Sequence, residues 1–261
     1  MSTAYFKQII KKLFDRFGYE LRRCDSMYNI RTSLAESYSL ISALGFRPKT
    51  VVDVGVARGT EELYIAFPDS YFLLIEPLKE FELHLKLLLK QYRGSYILAA
   101  AGAERGQVIF NVHGDHMDGS SLYKEAMGTK ADGYEISVPM ICLDETLEEK
   151  RLGGPYLIKV DVQGAELEVL EGAQKILPEA EVVVLEVSMF EFMVGAPQFY
   201  EVVLYMKQHG FVAYDIIPGW NRPSDKALGQ VDILFVKEDG QFRQDHSFSS
   251  WEQREKIFGS R

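Results

Sequence analysis

Apolar residues at helical spacing open the chain. Phe6, Ile9, Ile10, Leu13, Phe14 and Phe17 recur every three or four positions and predict an amphipathic helix over residues 4–17. Lys7, Lys11, Lys12 and Arg16 fill the other positions, and Arg22 and Arg23 follow. Such a helix either lies on a membrane surface or a partner, or packs on the domain with its basic face in water. The packed arrangement is the plainer expectation. The concentration of basic charge in an acidic chain is the argument for the other.

From residue 50 the period changes to short apolar runs alternating with helical segments. Strands are predicted at Thr50–Val56, Tyr71–Ile75, Tyr96–Ala101, Val108–His113, Ile136–Leu143, Tyr156–Val162, Glu181–Val187, Phe211–Ile217 and Val231–Val236. Helices are predicted at Glu61–Phe67, Leu78–Gln91, Ala165–Leu177 and Phe199–Gln208. Fully apolar strands separated by helices predict a mostly parallel sheet covered on both faces. The link Pro218–Gln230 holds Gly219, Pro223 and Gly229 and no helix-length run, so the last two strands are expected to close as an antiparallel hairpin. The expected plan is an N-terminal helical extension over 1–45, one α/β domain over 46–238 and a polar tail over 239–261. The tail carries isolated Phe242, Phe248, Trp251 and Phe258, and no repeat or low-complexity segment interrupts the plan.

Composition narrows the job. The 261 residues carry a net charge of −9, which disfavours polyanion binding, so no nucleic-acid partner is expected. The two cysteines, Cys24 and Cys142, form no Cys-x-x-Cys pair and predict neither a zinc site nor a disulfide scaffold. No run reaches the length of a membrane span and no signal-peptide core is evident. The expected location is cytoplasmic, with peripheral membrane contact through residues 4–23.

Three motifs carry candidate chemistry. The run Val51-Val52-Asp53-Val54-Gly55-Val56-Ala57-Arg58-Gly59 places a glycine turn between a strand and a helix start. Its Gly-x-x-x-Gly spacing differs from the Gly-x-Gly-x-x-Gly of dinucleotide sites, and Asp53 would repel a pyrophosphate. A ligand with an ammonium and a sulfonium and no phosphate suits this acidic turn better. Glu76, 21 positions after Gly55, ends the second strand, where an acid can accept two ribose hydroxyls. In the run from Leu157 to Ala173, Lys159 and Asp161 interrupt an apolar strand, and buried ions are costly unless paired or used. Glu166 and Glu168 there also read as acids favoured at a helix N-terminus.

The order of Asp53-Val54-Gly55, Glu76-Pro77, Leu143-Asp144, the run Lys159-Val160-Asp161-Val162-Gln163-Gly164-Ala165-Glu166-Leu167-Glu168-Val169-Leu170, and Leu185-Glu186-Val187 resembles the FkbM family of methyltransferases over residues 50–237. Family members often carry Asn at the position of Ala57 and Glu at that of Gln163. The resemblance implies a Rossmann-like class I methyltransferase fold with a seven-stranded sheet. It implies S-adenosylmethionine as cofactor and O-methylation of a hydroxyl on a sugar, glycolipid or polyketide. Asp53, Gly55, Arg58, Gly59, Thr60, Glu76 and Ala101 form the expected cofactor set.

Methyl transfer to an alcohol needs a base within hydrogen-bond reach. Asp161 is expected as base or orienting group, with Glu186 on the neighbouring strand as its partner. Two acids close together raise one pKa, which suits a proton acceptor. His113 is the competing base. His116, Ser120 and Ser121, in or near the polar loop Gly114–Gly133, are expected to meet the acceptor. Asp161, Glu186 and His113 could ligate a metal, but no spacing motif supports one and none is expected. Two rivals stand beside this reading. One is an NAD-dependent oxidoreductase, which the glycine spacing opposes. The other is a non-catalytic binding protein on the same scaffold, which the intact acid and glycine set opposes.

Overall fold

The computed structural model describes residues 3–19, 30–128, 130–131 and 133–259. The chain divides into two compact units, residues 1–32 and 33–261.

Among its described residues the first unit holds one helix, α1 (Thr3–Arg16). At about 100° per residue its six apolar positions fill one arc about 140° wide. Lys7 and Lys11 border one side of that arc, and Lys12 and Arg16 border the other. Phe6, Ile9, Leu13, Phe14 and Phe17 are exposed. Arg22, Arg23 and Cys24 lie outside the described residues.

The second unit begins with α2 (Leu34–Ala43), whose first turn is capped by the Ser33 hydroxyl accepting from Glu36 N–H. Its Leu34, Tyr38 and Ile41 are buried in the same core as Val51, Leu63 and Leu74. The compact unit therefore starts ahead of the boundary expected at residue 46, because this helix supplies core.

In chain order follow β1 (Thr50–Val54), α3 (Glu61–Ala66), β2 (Tyr71–Ile75), α4 (Glu82–Leu88), β3 (Gly94–Ile97) and β4 (Ala100–Ala101). Then come β5 (Gly106–Val112), β6 (Tyr134–Ile141), α5 (Leu143–Lys150), β7 (Tyr156–Val160), α6 (Glu166–Glu171) and β8 (Ala180–Ser188). The last elements are α7 (Phe199–Gln208), β9 (Phe211–Pro218), β10 (Gln230–Lys237) and α8 (Trp251–Phe258). Seven strands make the main sheet in the order β3-β2-β1-β7-β8-β10-β9. All pairs are parallel except those of β10, which runs antiparallel to β8 and β9. The hairpin read from the loop is present.

Alternate strand residues feed two cores. Val52, Leu73, Ile158 and Val183 meet residues of α5, α6 and α7. Val51, Phe72, Leu157 and Val182 meet residues of α2, α3 and α4. Helices thus cover both faces. The topological switch lies between β1 and β7, where open α/β sheets bind ligands at the strands' carboxyl ends.

Four details differ from the sequence reading. The third strand splits into β3 and β4, and β4 joins β6 and β5 in a separate three-stranded sheet. Residues 143–150, given no helix above, form α5, with Leu143 and Leu147 buried one turn apart. The helix expected to run to Leu177 stops at Glu171, and the Lys175 and Ile176 N–H groups beyond it donate to the Asp144 carboxylate at 2.9–3.0 Å. The tail forms α8, closed by reciprocal bonds between Ser250 and Gln253, and Phe242 packs against Phe46 and Tyr214.

Candidate active site

The site begins where β1, β2 and β7 end together. Gly55 has φ +77°, and a Cβ there would stand 1.8 Å from the Asp161 carbonyl oxygen. Its N–H donates to Ile75 at 2.9 Å, while Asp161 N–H donates to Val54 at 3.0 Å. Glycine is needed here because the β7 backbone crosses against the turn. Glu76, nearly enclosed, accepts from Ala57 N–H and Leu78 N–H, each at 2.8 Å. Burial raises its pKa to about 7 against the pull of those two N–H groups.

Around this carboxylate opens a small, partly open pocket. Ile75, Leu78, Phe81, Ala101, Phe110 and Leu122 give it apolar walls, and Glu76, Asp118 and Asp161 give it acids. Apolar walls with a few placed polar groups are the usual build of a small-molecule site. They suit a flat base, a ribose and a cation, with no basic group arranged for a phosphate.

Of the expected cofactor set, Gly55, Glu76 and Ala101 line this pocket. Asp53 does not. It is fully buried, accepts from Tyr64 Oη at 2.5 Å and lies 3.8 Å from Lys159 Nζ. Burial raises its pKa, opposed by Lys159 and Tyr64. Asp53 therefore braces the floor beneath the turn. Thr60 N–H donates to the same Tyr64 hydroxyl at 3.2 Å, and Gly59 gives α4 room, since a Cβ there would meet Leu88 at 2.9 Å. Arg58 is exposed, pairs with Asp118 at 3.3 Å and sits 5.9 Å over the Phe81 ring, so it reaches across to the pocket wall.

The expected catalytic acids do come together. Gln163 Nε2 donates to Asp161 Oδ1 at 2.9 Å and to Glu186 Oε2 at 2.6 Å. Lys159 Nζ donates to the other Asp161 oxygen at 3.2 Å. Burial would lower the Lys159 pKa, but Asp161 and Asp53 outweigh it and keep the amine charged. Burial, then the Asp161 charge, pushes Glu186 well above the usual carboxylate range. Burial, then the Asp161 charge, raises Asp232 to about 6. Gln230 Nε2 reaches Glu186 at 3.4 Å. Glu166 accepts from Val162 N–H and Gly164 N–H, each at 3.1 Å, and burial raises it to about 7. It thus ties down the turn after β7, a role beyond a helix-start acid.

His113, expected as the competing base, follows β5, is buried with Nδ1 3.0 Å from Glu125 and does not line the pocket. His116 is exposed beside Gly119 and also lies off the pocket. Ser120 lines the pocket, but its hydroxyl already donates to Met117 at 2.7 Å and accepts from His113 N–H at 3.1 Å. Ser121 is wholly buried and donates to the Gln163 carbonyl at 2.7 Å, so it anchors the loop and does not face an acceptor. Sequence reasoning missed Gln163, Gln230, Tyr64 and Asp118. Among them only Gln163 carried a local signal, standing two residues after an acid that interrupts an apolar strand.

The strand order, the single reversed strand and the acid-lined pocket at the switch define a Rossmann-like class I methyltransferase fold. The model of the methyltransferase FkbM domain matches residues 53–213, and the chain belongs to that family. It is a methyltransferase, and S-adenosylmethionine is its cofactor. No curated protein matches the chain. Similar solved structures include the precorrin-6y C5,15-methyltransferase of Geobacter metallireducens GS-15, at 10% identity and TM-score 0.43, over 81% of this chain and 92% of that one. An rRNA methylase from Streptococcus thermophilus aligns at 12% identity and TM-score 0.44, over 80% and 98%. The magnesium protoporphyrin IX methyltransferase of Synechocystis PCC 6803 aligns at 10% and 0.42, over 88% and 96%.

Proposed function

We propose that this methyltransferase acts on a hydroxyl of a small molecule or glycan. The observation that carries the reading is the pair Asp161 and Glu186, joined by one amide beside the cofactor pocket. Glu76 would hold the ribose hydroxyls, and Leu78, Phe81, Ala101 and Phe110 would enclose the base. Asp118 and Asp161 face the cationic end. Bound S-adenosylmethionine supplies a methyl group on a positively charged sulfur. The acceptor oxygen forms its bond to that methyl as the methyl–sulfur bond breaks, so the hydroxyl proton must leave. Both Asp161 oxygens already take donors, from Gln163 and Lys159. Glu186 Oε1 makes no hydrogen bond among the described residues, and burial with the neighbouring Asp161 charge raises its proton affinity. Glu186 therefore takes the proton and Asp161 orients the hydroxyl, reversing the order expected from sequence. Positioning supplies most of the remaining acceleration.

The net charge of −9 supports an acceptor other than a nucleic acid. In α1, lysines on both borders of the apolar arc support peripheral contact with an anionic lipid surface, the apolar side chains entering it and the ammonium groups reaching its headgroups. The decisive experiment supplies methyl-labelled S-adenosylmethionine with hydroxyl-bearing glycans and alcohols in one set and total RNA in another. Label in hydroxyl compounds, lost in Glu186→Gln, is the expected result. Label in RNA alone sinks the proposal.

A further inference from the structure

Beyond Glu186 the molecule presents apolar side chains that its own core does not use. Trp220 is 72% exposed, Met127 70% and Val194 53%, and Phe190 and Leu228 are also open to solvent. They stand on three segments fastened to one another and to the acid pair. The 189–198 segment follows directly from β8, which carries Glu186. Gly164, next to Gln163, packs against it so closely that a Cβ would meet Ala196 at 2.8 Å and Met193 at 3.3 Å. The 124–127 segment is bonded to it through Ala126 N–H to Phe192 and Val194 N–H to Lys124, both at 2.8 Å. The β9–β10 loop joins it through Met189 N–H to Gly229 at 2.8 Å, and Arg222 lies 4.1 Å over the Phe190 ring. Gln230 closes the chain of contacts: its N–H donates to the Trp220 carbonyl at 3.1 Å, and its side chain reaches Glu186.

Scattered apolar residues on a surface carry no message. These are gathered on loops at the same carboxyl edge of the sheet as the proton-accepting carboxylate. A water-soluble sugar alone would leave them uncovered. From this arrangement we infer that the acceptor carries its hydroxyl on an apolar body, an alkyl chain or fused apolar ring, which lies across Trp220, Phe190 and Val194. The inference rests on the acceptor-side reading of Asp161 and Glu186. Arg222, already paired with Asp225 and stacked on Phe190, forms a wall of the surface.

The chain has two tryptophans, so Trp251→Phe leaves Trp220 as the sole reporter. In that full-length background, saturated with S-adenosylhomocysteine, glucose and its hexyl and octyl β-glucosides are titrated below their micelle concentrations. Trp220 emission is expected to respond saturably to the alkyl glucosides, tightening about threefold to fourfold per added methylene. Calorimetry is expected to show at least tenfold weaker octyl glucoside binding in Trp220→Ser, and the same in Val194→Ser, with S-adenosylhomocysteine affinity unchanged. Glucose binding as well as octyl glucoside, or octyl glucoside binding equally well to both serine variants, overturns the inference, as does silence of Trp220 towards all three. Loss of S-adenosylhomocysteine binding in wild type would instead indict the cofactor site, a separate failure.

Discussion

Gln163 stands at φ +56°, a backbone state that costs a residue other than glycine about 1–2 kcal/mol. Its amide offsets that cost by donating to two half-buried carboxylates that would otherwise repel each other. Replacing it with Leu keeps the volume and removes both bonds. Asp161 and Glu186 then face each other, with Lys159, Glu166 and Asp232 as the remaining charges around them. A bond to a charged acceptor is worth about 1.5–3 kcal/mol. Gln163→Leu is therefore expected to lose about 2–4 kcal/mol in urea denaturation. An unchanged urea midpoint would refute the bridging role. Glu76 gives a second residue-scale test. Its pKa near 7 means that raising pH from 6 to 8 ionises it, and the ionised form is the better acceptor for ribose hydroxyls. S-adenosylhomocysteine should bind more tightly across that interval in calorimetry. Glu76→Ala should weaken binding about tenfold to a hundredfold and abolish the pH dependence. Glu76, Asp161 and Glu186 stood out as candidates because acids at the ends of apolar strands have few structural excuses. Asp53 shares that signal, but Tyr64 and Lys159, which come from other elements, enclose it away from the pocket. Gln163 was passed over because a neutral amide in a turn looks like any polar loop residue.

Between elements, the tightest requirement is the crossing of β7 over the turn after β1. Gly55→Ala would drive a Cβ into backbone, where no side chain can move aside. It should cost about 3 kcal/mol or more, read as a lowered urea midpoint. Gly195→Ala is the matched control: φ is +75°, but nothing lies within 4 Å of its Cβ, so only the conformational penalty of about 1 kcal/mol applies. Equal losses would show that left-handed geometry, and not the Asp161 carbonyl, demands glycine at 55. The α1 helix has its own test. The intact chain should sediment with anionic vesicles, not with zwitterionic ones, and salt should release it. Leu13→Glu should end the binding and leave S-adenosylhomocysteine affinity alone. Strands β1, β2, β7, β8 and the β9–β10 hairpin were legible from apolar runs and turn residues. Helix α5 was not, because its eight residues are mostly charged and only Leu143 and Leu147 mark the buried side. The separate small sheet was hidden for another reason: alternation reveals a strand, never which sheet will take it.

Across the whole second unit, several acids are buried at one end of a sheet, and this couples stability to pH. The fold class was legible from the order of strands and helices. Long-range assembly sets the proton affinities. Glu166 and Glu76 titrate near 7 and Asp232 near 6 when folded, all above their unfolded values and all through burial first. Between about pH 4 and 7 the folded state therefore binds more protons than the unfolded state. Stability must fall as pH rises through that window and level off above it. Self-repulsion at a net charge of −9 acts in the same direction. The ligand-free protein should melt at a higher temperature at pH 5.5 than at pH 8. Glu166→Gln separates the local cause from the global one. The amide oxygen can still accept from Val162 and Gly164, but nothing titrates, so the variant should be more stable than wild type at pH 8 by about 1–3 kcal/mol and equal to it near pH 5. If melting curves from pH 5 to 8 keep the wild-type slope in Glu166→Gln, the coupling lies in the overall charge and the carboxylate beneath the β7 turn is a spectator.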